Sequence, residues 1–381
     1  MMINDQESIF GHGEGLRGPD SANLRRGWTT GACAAAAAKA ATEGLLGVIF
    51  PDPITIDLPR GIRQPFNITA FEFGHNWARA SVRKDAGDDP DVTHGALIVC
   101  EVRITEPGSG IRFIAGSGVG TVTRPGLPIS VGEPAISPGP RKYIKEAIES
   151  VAERENKPCN FDIIISVPGG EKLAQKTLNE RLGIKGGISI LGTTGVVIPY
   201  SCGAWIASIH RGVDVARAAG LTHIAAATGR TSETGVKDLH QLSDQAIIDM
   251  GDFAGGFLKY LSKNPLPRLT IAGGFAKVAK LARGHLDLHS KRSQIDIEYL
   301  VTSLSTLGAS DEIINEAKMS SSGAEILLIA QKAKLPLANL VAVDSCKVVT
   351  QTLSSGGHAS GISVDVVIFD RNGVLVGHAN G

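Results

Sequence analysis

The chain lacks most of what would mark it for nucleic acid, for a membrane or for secretion. Lysine plus arginine equals aspartate plus glutamate, 38 each, so no global field draws a polyanion towards it. Aromatic residues are only 5%, too few for a base-stacking platform. The five cysteines, Cys33, Cys100, Cys159, Cys202 and Cys346, are odd in number, far apart and without a CxxC pair. That argues against a disulfide framework or a cysteine-based zinc site and fits reduced thiols in the cytoplasm. No apolar run approaches the ~18 residues that span a bilayer, and the N-terminus has no basic stretch leading into an apolar one, so no signal peptide is expected. G-x-S-x-G and G-x-x-x-x-G-K-[ST] are both missing, which weakens hydrolase and P-loop kinase readings.

Glycine is what the chain has in excess: 46 of 381 residues, against a typical ~7%. The glycines sit in discrete turns between apolar runs. Residues 161–195 concentrate them. A β-branched run at Ile163, Ile164, Ile165 and Val167 ends at Pro168-Gly169-Gly170, and a short helical stretch follows from Glu171. A second strand over 188–191 opens into Gly192-Thr193-Thr194-Gly195. In open α/β sheets ligands bind beyond the carboxyl ends of strands, where glycine lets backbone N–H groups meet anions. The plainer alternative is a pair of tight turns.

Upstream, Thr29 or Thr30 can cap a helix through the alanine-rich segment 32–41, which stops near Gly44. Arg25 and Arg26 precede its positive end, a layout suited to a carboxylate or phosphate; a tightly packed core helix is the competing reading. Residues 54–123 read as β structure, with 106–110 as a hairpin connection. Pro140 suits the first turn of a helix running to about residue 155. From residue 161 strands and helices alternate: helix 204–219, strand 222–227, helix 245–261, strand 269–272, helix 275–283. That alternation predicts a parallel sheet of βαβ units. Residues 293–335 read as wholly helical. Runs at 362–369 and 374–378 flank Asp370-Arg371-Asn372-Gly373, a strong hairpin signal.

Several constellations carry chemistry. Gly116-Ser117-Gly118-Val119-Gly120 follows a strand and spells GxGxG, as in Rossmann-type methyltransferases. Thr121 to Pro125 cannot easily start the helix that fingerprint needs, so this loop is either ligand-adjacent or purely structural. Residues 87–95 pack Asp88, Asp89, Asp91 and His94 into one loop, able to bind a cation, a ribose or an amine, or simply a solvated turn. His285, Asp287 and His289 alternate and in a strand would share one face. Polar contacts to a ligand are favoured there over a metal, since no further cluster completes a ligand set. Residues 229–233 follow a strand end and precede a helix, a further candidate on the same edge. Glycines at 251–256 interrupt a helical pattern and suggest close packing or ligand approach.

Taken in order, residues 24–41, 88–95, 116–141, 167–199, 251–255 and 284–290 resemble the CbiD family, cobalt-precorrin-5B C(1)-methyltransferases of the oxygen-independent cobalamin pathway. The run 198–203 departs from the family's usual pattern. The resemblance implies methyl transfer from S-adenosylmethionine to ring carbon 1 of cobalt-precorrin-5B, giving cobalt-precorrin-6A. Cobalt would arrive inside the substrate, so no protein-bound metal is expected. The donor is placed at Gly116, Gly118, Gly120, Gly192, Thr193, Thr194 and Gly195. The carboxylate arms of the tetrapyrrole are placed at Arg25, Arg26, Thr29, Thr30, Gly31, Arg141, Lys172, His285 and His289. Asp89, Asp91 and Glu171 are the candidates for offsetting the sulfonium charge or moving a ring proton. A non-catalytic tetrapyrrole carrier and a phosphate-ester enzyme using the same turns are the alternatives. The expected fold is two-domain α/β: a disordered extension over 1–23, an α+β domain over 24–204, a Rossmann-like α/β domain over 205–345, and a C-terminal hairpin over 346–381 that returns to complete the first domain. No nucleic-acid or membrane partner is expected, and a homo-oligomer is left open.

Overall fold

The computed structural model describes residues 24–47, 50–355 and 361–380; the expected extension over 1–23 lies outside them. The fold is mixed α/β, and the chain divides into two compact units, Met1–Ala204 and Trp205–Gly381.

In chain order the first unit contains β1 (Gly27–Trp28), α1 (Thr30–Gly47), β2 (Ile54–Leu58), β3 (Ile62–Phe66), β4 (Ala70–Phe73), β5 (Trp77–Arg83), β6 (Leu97–Ile104), β7 (Ile111–Ala115), β8 (Gly118–Val119), β9 (Thr121–Val122), α2 (Pro138–Arg154), β10 (Phe161–Ser166), α3 (Gly170–Ala174), β11 (Ile184–Lys185), β12 (Gly187–Ile188) and β13 (Val196–Val197). Its main sheet has the order β4-β5-β6-β10-β7. Alternate residues of β5, β6 and β10 (Ala78, Ala80, Ile98, Cys100, Ile163, Ile165) face a core shared with α1 and α2. Helix α1 is buried along most of its length. Only a helix made of alanine could be enclosed this way and still let its neighbours close in, because each side chain fills so little space.

The expected hairpin over 106–110 does not form. β6 and β7 are not neighbours; β10 lies between them, antiparallel to β6 and parallel to β7. The fully buried face of β10 earns the central place, and local turn residues cannot signal such an insertion.

The second unit begins within α4 (Cys202–Ala218) and continues through β14 (His223–Ala227), α5 (Arg230–His240), β15 (Ile247–Asp249), α6 (Ala254–Lys263), β16 (Arg268–Gly274), α7 (Phe275–Ala282), α8 (Ile297–Thr306), α9 (Asp311–Lys318), α10 (Gly323–Lys332), α11 (Leu337–Ser354), β17 (Ser363–Phe369) and β18 (Leu375–Asn380). Its sheet runs β15-β14-β16-β17-β18, parallel except for the last pair. Both faces are covered. Ile224, Ala226, Leu269 and Ile271 join one core, and Ala225, Ala227, Ala272 and Val367 join another with Val236 of α5.

Four expectations differ from the structure. The C-terminal hairpin forms, but it belongs to the second unit's sheet and not to the first domain: β17 pairs with β16. Its run Val364 to Phe369 is buried on both faces, the pattern of a parallel-sheet interior rather than of an added antiparallel layer. The boundary expected at 345/346 falls inside α11. The helix expected over 245–261 starts with a strand: Ile247 and Ile248 pair with β14, and Gly251 turns the chain at φ +57 before α6. The helical stretch over 293–335 is three helices, interrupted by Gly308 at φ +81 and by Ser322, which caps α10.

Candidate functional site

The start of α1 and the turn 192–195 do come together, as the sequence suggested, but they bind each other. Thr29 caps the helix, accepting from Ala32 N at 3.1 Å. Thr29 N donates to Gly195 O at 2.9 Å and Gly31 N to Leu191 O at 3.1 Å. Thr30 Oγ1 accepts from Leu191 N at 3.0 Å. Tyr143 Oη donates to Gly192 O at 2.8 Å. A Cβ on Gly192 would lie 2.4 Å from Thr29. Thr29 and Thr30 are buried. The orphan donors of this helix end are thus largely met by the protein itself, so Thr29, Thr30 and Gly31 are engaged with residues 191–195.

The other glycine loops pack backbone against backbone. Gly118, at φ +74, would put a Cβ 1.9 Å from Val167 O. A Cβ on Gly170 or Gly187 would lie 2.1 Å from Gly118 O. The loop 116–120 is locked further by pairing of β8 with β12 and of β9 with β11. Its glycines serve this contact, while Ser117 on its rim stays exposed.

The charged candidates differ in what they touch. Arg25 forms a two-contact ion pair with Asp85, Nη2 to Oδ1 at 2.9 Å. Hydrogen bonding from Arg25, then from Gly87 N, holds the Asp85 carboxyl down at about 2. Arg26 is exposed. Arg141 is spent on its own loop: Nη1 and Nη2 each reach Glu133 at 3.0 Å, Nε reaches Ile136 O at 2.9 Å, and Nη2 reaches Pro134 O at 3.1 Å. Asp89 accepts from Tyr200 N at 2.8 Å. Asp91 pairs with Lys84 Nζ at 2.6 Å and accepts from Thr93 N and Oγ1 at 2.7 and 2.6 Å. Burial raises the Asp91 carboxyl, but Lys84 and Thr93 together outweigh it and bring it below the usual range. Glu171 and Lys172 are exposed, and Ser117 Oγ donates to Glu171 at 3.3 Å.

In the second unit, His285, Asp287 and His289 are not on a strand. Gly284 ends α7's turn at φ +80, and Asp287 folds into a local turn that accepts from His289 N and pairs with Arg292 at 3.3 Å. The alternation that suggested a shared strand face is therefore a loop. Another titratable group lies at the amino ends of the strands. His223, His240 and Asp365 each offer a ligand atom within 4.8 Å of the others. Asp365 accepts from Arg268 at 2.8 and 2.6 Å and from Thr270 Oγ1 at 3.1 Å. Thr270 having given its proton to Asp365, it accepts from His223 Nε2 at 2.8 Å, which sets the tautomer of that ring. Burial first, then Arg268 and His240, push the His223 imidazole down to about 4.

At the opposite, carboxyl ends of β14, β16 and β17 lies a cavity of about 510 Å³. Three turns bound it: Thr228 to Ser232, Gly274 to Lys277, and Phe369 to Asn372, with α10 closing one side. It sits where successive connections from β14 and β16 diverge, the place that binds ligands in open α/β sheets. Both helices whose first turns line it, α5 and α7, begin on glycines, Gly229 and Gly274, and neither has a side-chain cap. A Cβ on either glycine would meet nothing within 4 Å. Lys277 is held by Thr228 O at 2.8 Å and by Asp252 at 3.0 Å. Sequence reasoning reached 229–233 but missed Lys277 and Arg371. The signal for the first was present: Gly273-Gly274-Phe275 also joins a strand to a helix. Arg371 was read only as part of a hairpin turn.

Among the described residues no helix is long and apolar enough to cross a membrane. The CbiD family model matches residues 18–199, and the model of the CbiD C-terminal domain matches 287–380. The chain is 53% identical over 361 residues to the cobalt-precorrin-5B C(1)-methyltransferase of Paramagnetospirillum magneticum, covering 95% of this chain and 99% of that one. It is 54% identical over 355 residues to the protein of the same name from Rhodospirillum rubrum, covering 93% and 97%. A solved structure of a cobalamin biosynthesis protein from Archaeoglobus fulgidus is 32% identical, covers 71% of this chain and 83% of its own, and has a TM-score of 0.39. The chain belongs to the CbiD family.

Proposed function

We propose that this protein is an S-adenosylmethionine-dependent C-methyltransferase that methylates ring carbon 1 of cobalt-precorrin-5B, giving cobalt-precorrin-6A in cobalamin biosynthesis. The observation that carries the reading is identity above 50% along nearly the whole length of relatives bearing that name. The donor supplies an activated methyl group: the ring carbon's electron pair forms the new C–C bond while the S–CH₃ bond breaks and its electrons neutralise the sulfonium.

Such a transfer asks the protein for alignment and exclusion of water more than for a nucleophile. The thiols fit that demand. Cys33 and Cys100 are buried, and burial pushes the Cys33 thiol up to about 12, far from the reactive range. In the first unit, the rim of the glycine loops offers Ser117, Glu171, Lys172 and Thr193 at the surface. Glu171, with Ser117 fixing its carboxylate, suits a sulfonium or an ammonium group. Unit two, with covered faces and a 2-1-3-4-5 strand order, we read as Rossmann-like only in the broad sense of a doubly wound α/β domain, its order being the flavodoxin-like one. Incubation with S-adenosylmethionine labelled in the methyl group and with cobalt-precorrin-5B tests the function. Label in the corrinoid and stoichiometric S-adenosylhomocysteine are expected; a folded protein that binds both compounds and transfers no label would be a carrier.

A further inference from the structure

We propose that the cavity at the carboxyl ends of β14, β16 and β17 holds a carboxylate-bearing edge of the tetrapyrrole and not the sulfonium donor. This rests on the methyltransferase reading above and says where one of its two substrates binds.

Charge decides between the two. Arg230 and Arg371 line the cavity against one lining carboxylate, Asp370, while Lys277, also in the lining, is balanced by its ion pair with Asp252. Asp370 Oδ1 is already engaged, accepting from Asn372 N and Val374 N at 2.8 Å each. The donor carries a sulfonium and an ammonium against one carboxylate, so this lining repels it. The tetrapyrrole carries several acetate and propionate arms and no fixed positive charge outside its metal centre, so the same lining attracts it.

Backbone geometry points the same way. The two helix starts at Gly229 and Gly274 leave N–H groups without side-chain caps, and two positive helix ends on one hollow favour an anion. Lys277 is held in place by Thr228 O and Asp252, while Arg230 and Arg371 are exposed. Phe275, Leu327, Leu328 and Phe369 give the cavity apolar walls, interspersed with Thr231, Ser232, Gln331 and Asn372. An apolar wall below a basic rim matches a macrocycle edge that is itself greasy in the ring and anionic at its arms. The start of α1, by contrast, is buried and hydrogen-bonded to residues 191–195, so it offers no comparable seat.

The test uses the full chain and two exposed side chains, Arg230→Ala and Arg371→Ala, singly and together, with thermal unfolding to check that the fold is kept. Three probes are titrated by calorimetry: uroporphyrin III as a polycarboxylated macrocycle, S-adenosylhomocysteine, and inorganic phosphate. Steady-state rates are measured against each substrate in turn. Each lost charge-assisted contact is expected to weaken uroporphyrin binding, and to raise KM for cobalt-precorrin-5B, by about tenfold. Affinity for S-adenosylhomocysteine and KM for the donor should stay within about twofold. The proposal is overturned if the variants weaken S-adenosylhomocysteine as much as uroporphyrin, if neither probe responds, or if phosphate binds the wild-type chain more tightly than uroporphyrin and depends on the same arginines. A wild-type chain that binds uroporphyrin through Arg230 and Arg371 yet transfers no methyl group would reject the methyltransferase reading and leave the carboxylate site standing. Methyl transfer untouched by both substitutions would reject the site alone.

Discussion

Asp91→Asn is expected to weaken the fold and to leave the chemistry of the folded fraction intact. Lys84 has a side chain only 1% exposed, and its ammonium meets Asp91 Oδ2 at 2.6 Å; Asp91 keeps 24% exposure. An asparagine would still accept from Thr93 through its oxygen. Its amide N–H₂ would then face the ammonium, donor against donor. Removing one partner of a buried ion pair typically costs about 3–5 kcal/mol, because the other charge is left uncompensated. Water can reach the Asp91 side, which points to the lower end, about 3 kcal/mol. For a unit of some 200 residues, Met1–Ala204, each kcal/mol moves the unfolding midpoint by about 2–4 °C, so the first unit should melt about 6–12 °C lower. Lys84→Met combined with Asp91→Asn removes both charges and should recover most of that loss. Circular dichroism melts give the midpoint, and single-turnover rates normalised to folded protein give the chemistry. A variant with a wild-type midpoint and a collapsed rate would refute the structural role and make Asp91 a catalytic residue.

The close approach of glycine loops can be separated from their backbone conformation. Gly169→Ala, at φ +77 with open space around its Cβ, should cost about 1–2 kcal/mol. Gly118→Ala, at φ +74 with Val167 O 1.9 Å away, should cost at least about 3 kcal/mol in urea unfolding; equal costs would remove the packing argument. The second unit should lose stability on acidification. His223 sits at about 4 in the folded chain, against an ordinary value of 6.5, so the unfolded chain takes up a proton that the fold refuses. Stability is complete above pH 6.5, falls as pH drops towards about 4, and levels off below it. His223→Gln keeps a donor for Thr270 and should flatten that dependence, read as urea midpoints at pH 7 and 4.5; an unchanged slope would exclude His223 as its source.

Local chemistry was legible in the sequence; partners were not. The β-branched run at residues 163–165 and 167 reads as a strand ending at Pro168, and β10 runs to Ser166. The alanine run reads as a capped helix, and Thr29 does cap α1. Whether a glycine turn faces a ligand or another glycine turn depends on what lies opposite, and nothing near Gly118 announces Gly170 or Gly187. The same gap explains Arg141, whose guanidinium bonds Glu133, Pro134 and Ile136, and Asp91, whose partner is the buried Lys84. The hairpin at residues 370–373 was plain from its turn residues, but its sheet was set by the buried run of β17. β15 escaped notice because a three-residue strand has no period to read. The cavity was visible only in part: its Gly229 turn follows the strand-turn-helix grammar, while Arg371 comes from a distant segment that joins the same sheet edge.

The most direct measurement is a crystal structure of the full chain grown with cobalt-precorrin-5B. Density for the macrocycle's carboxylated edge is expected against Arg230, Lys277 and Arg371, with arms at the amide groups that follow Gly229 and Gly274. Density instead against Thr29, Thr30 and residues 192–195, with that helix end pulled free of Leu191, would contradict that placing.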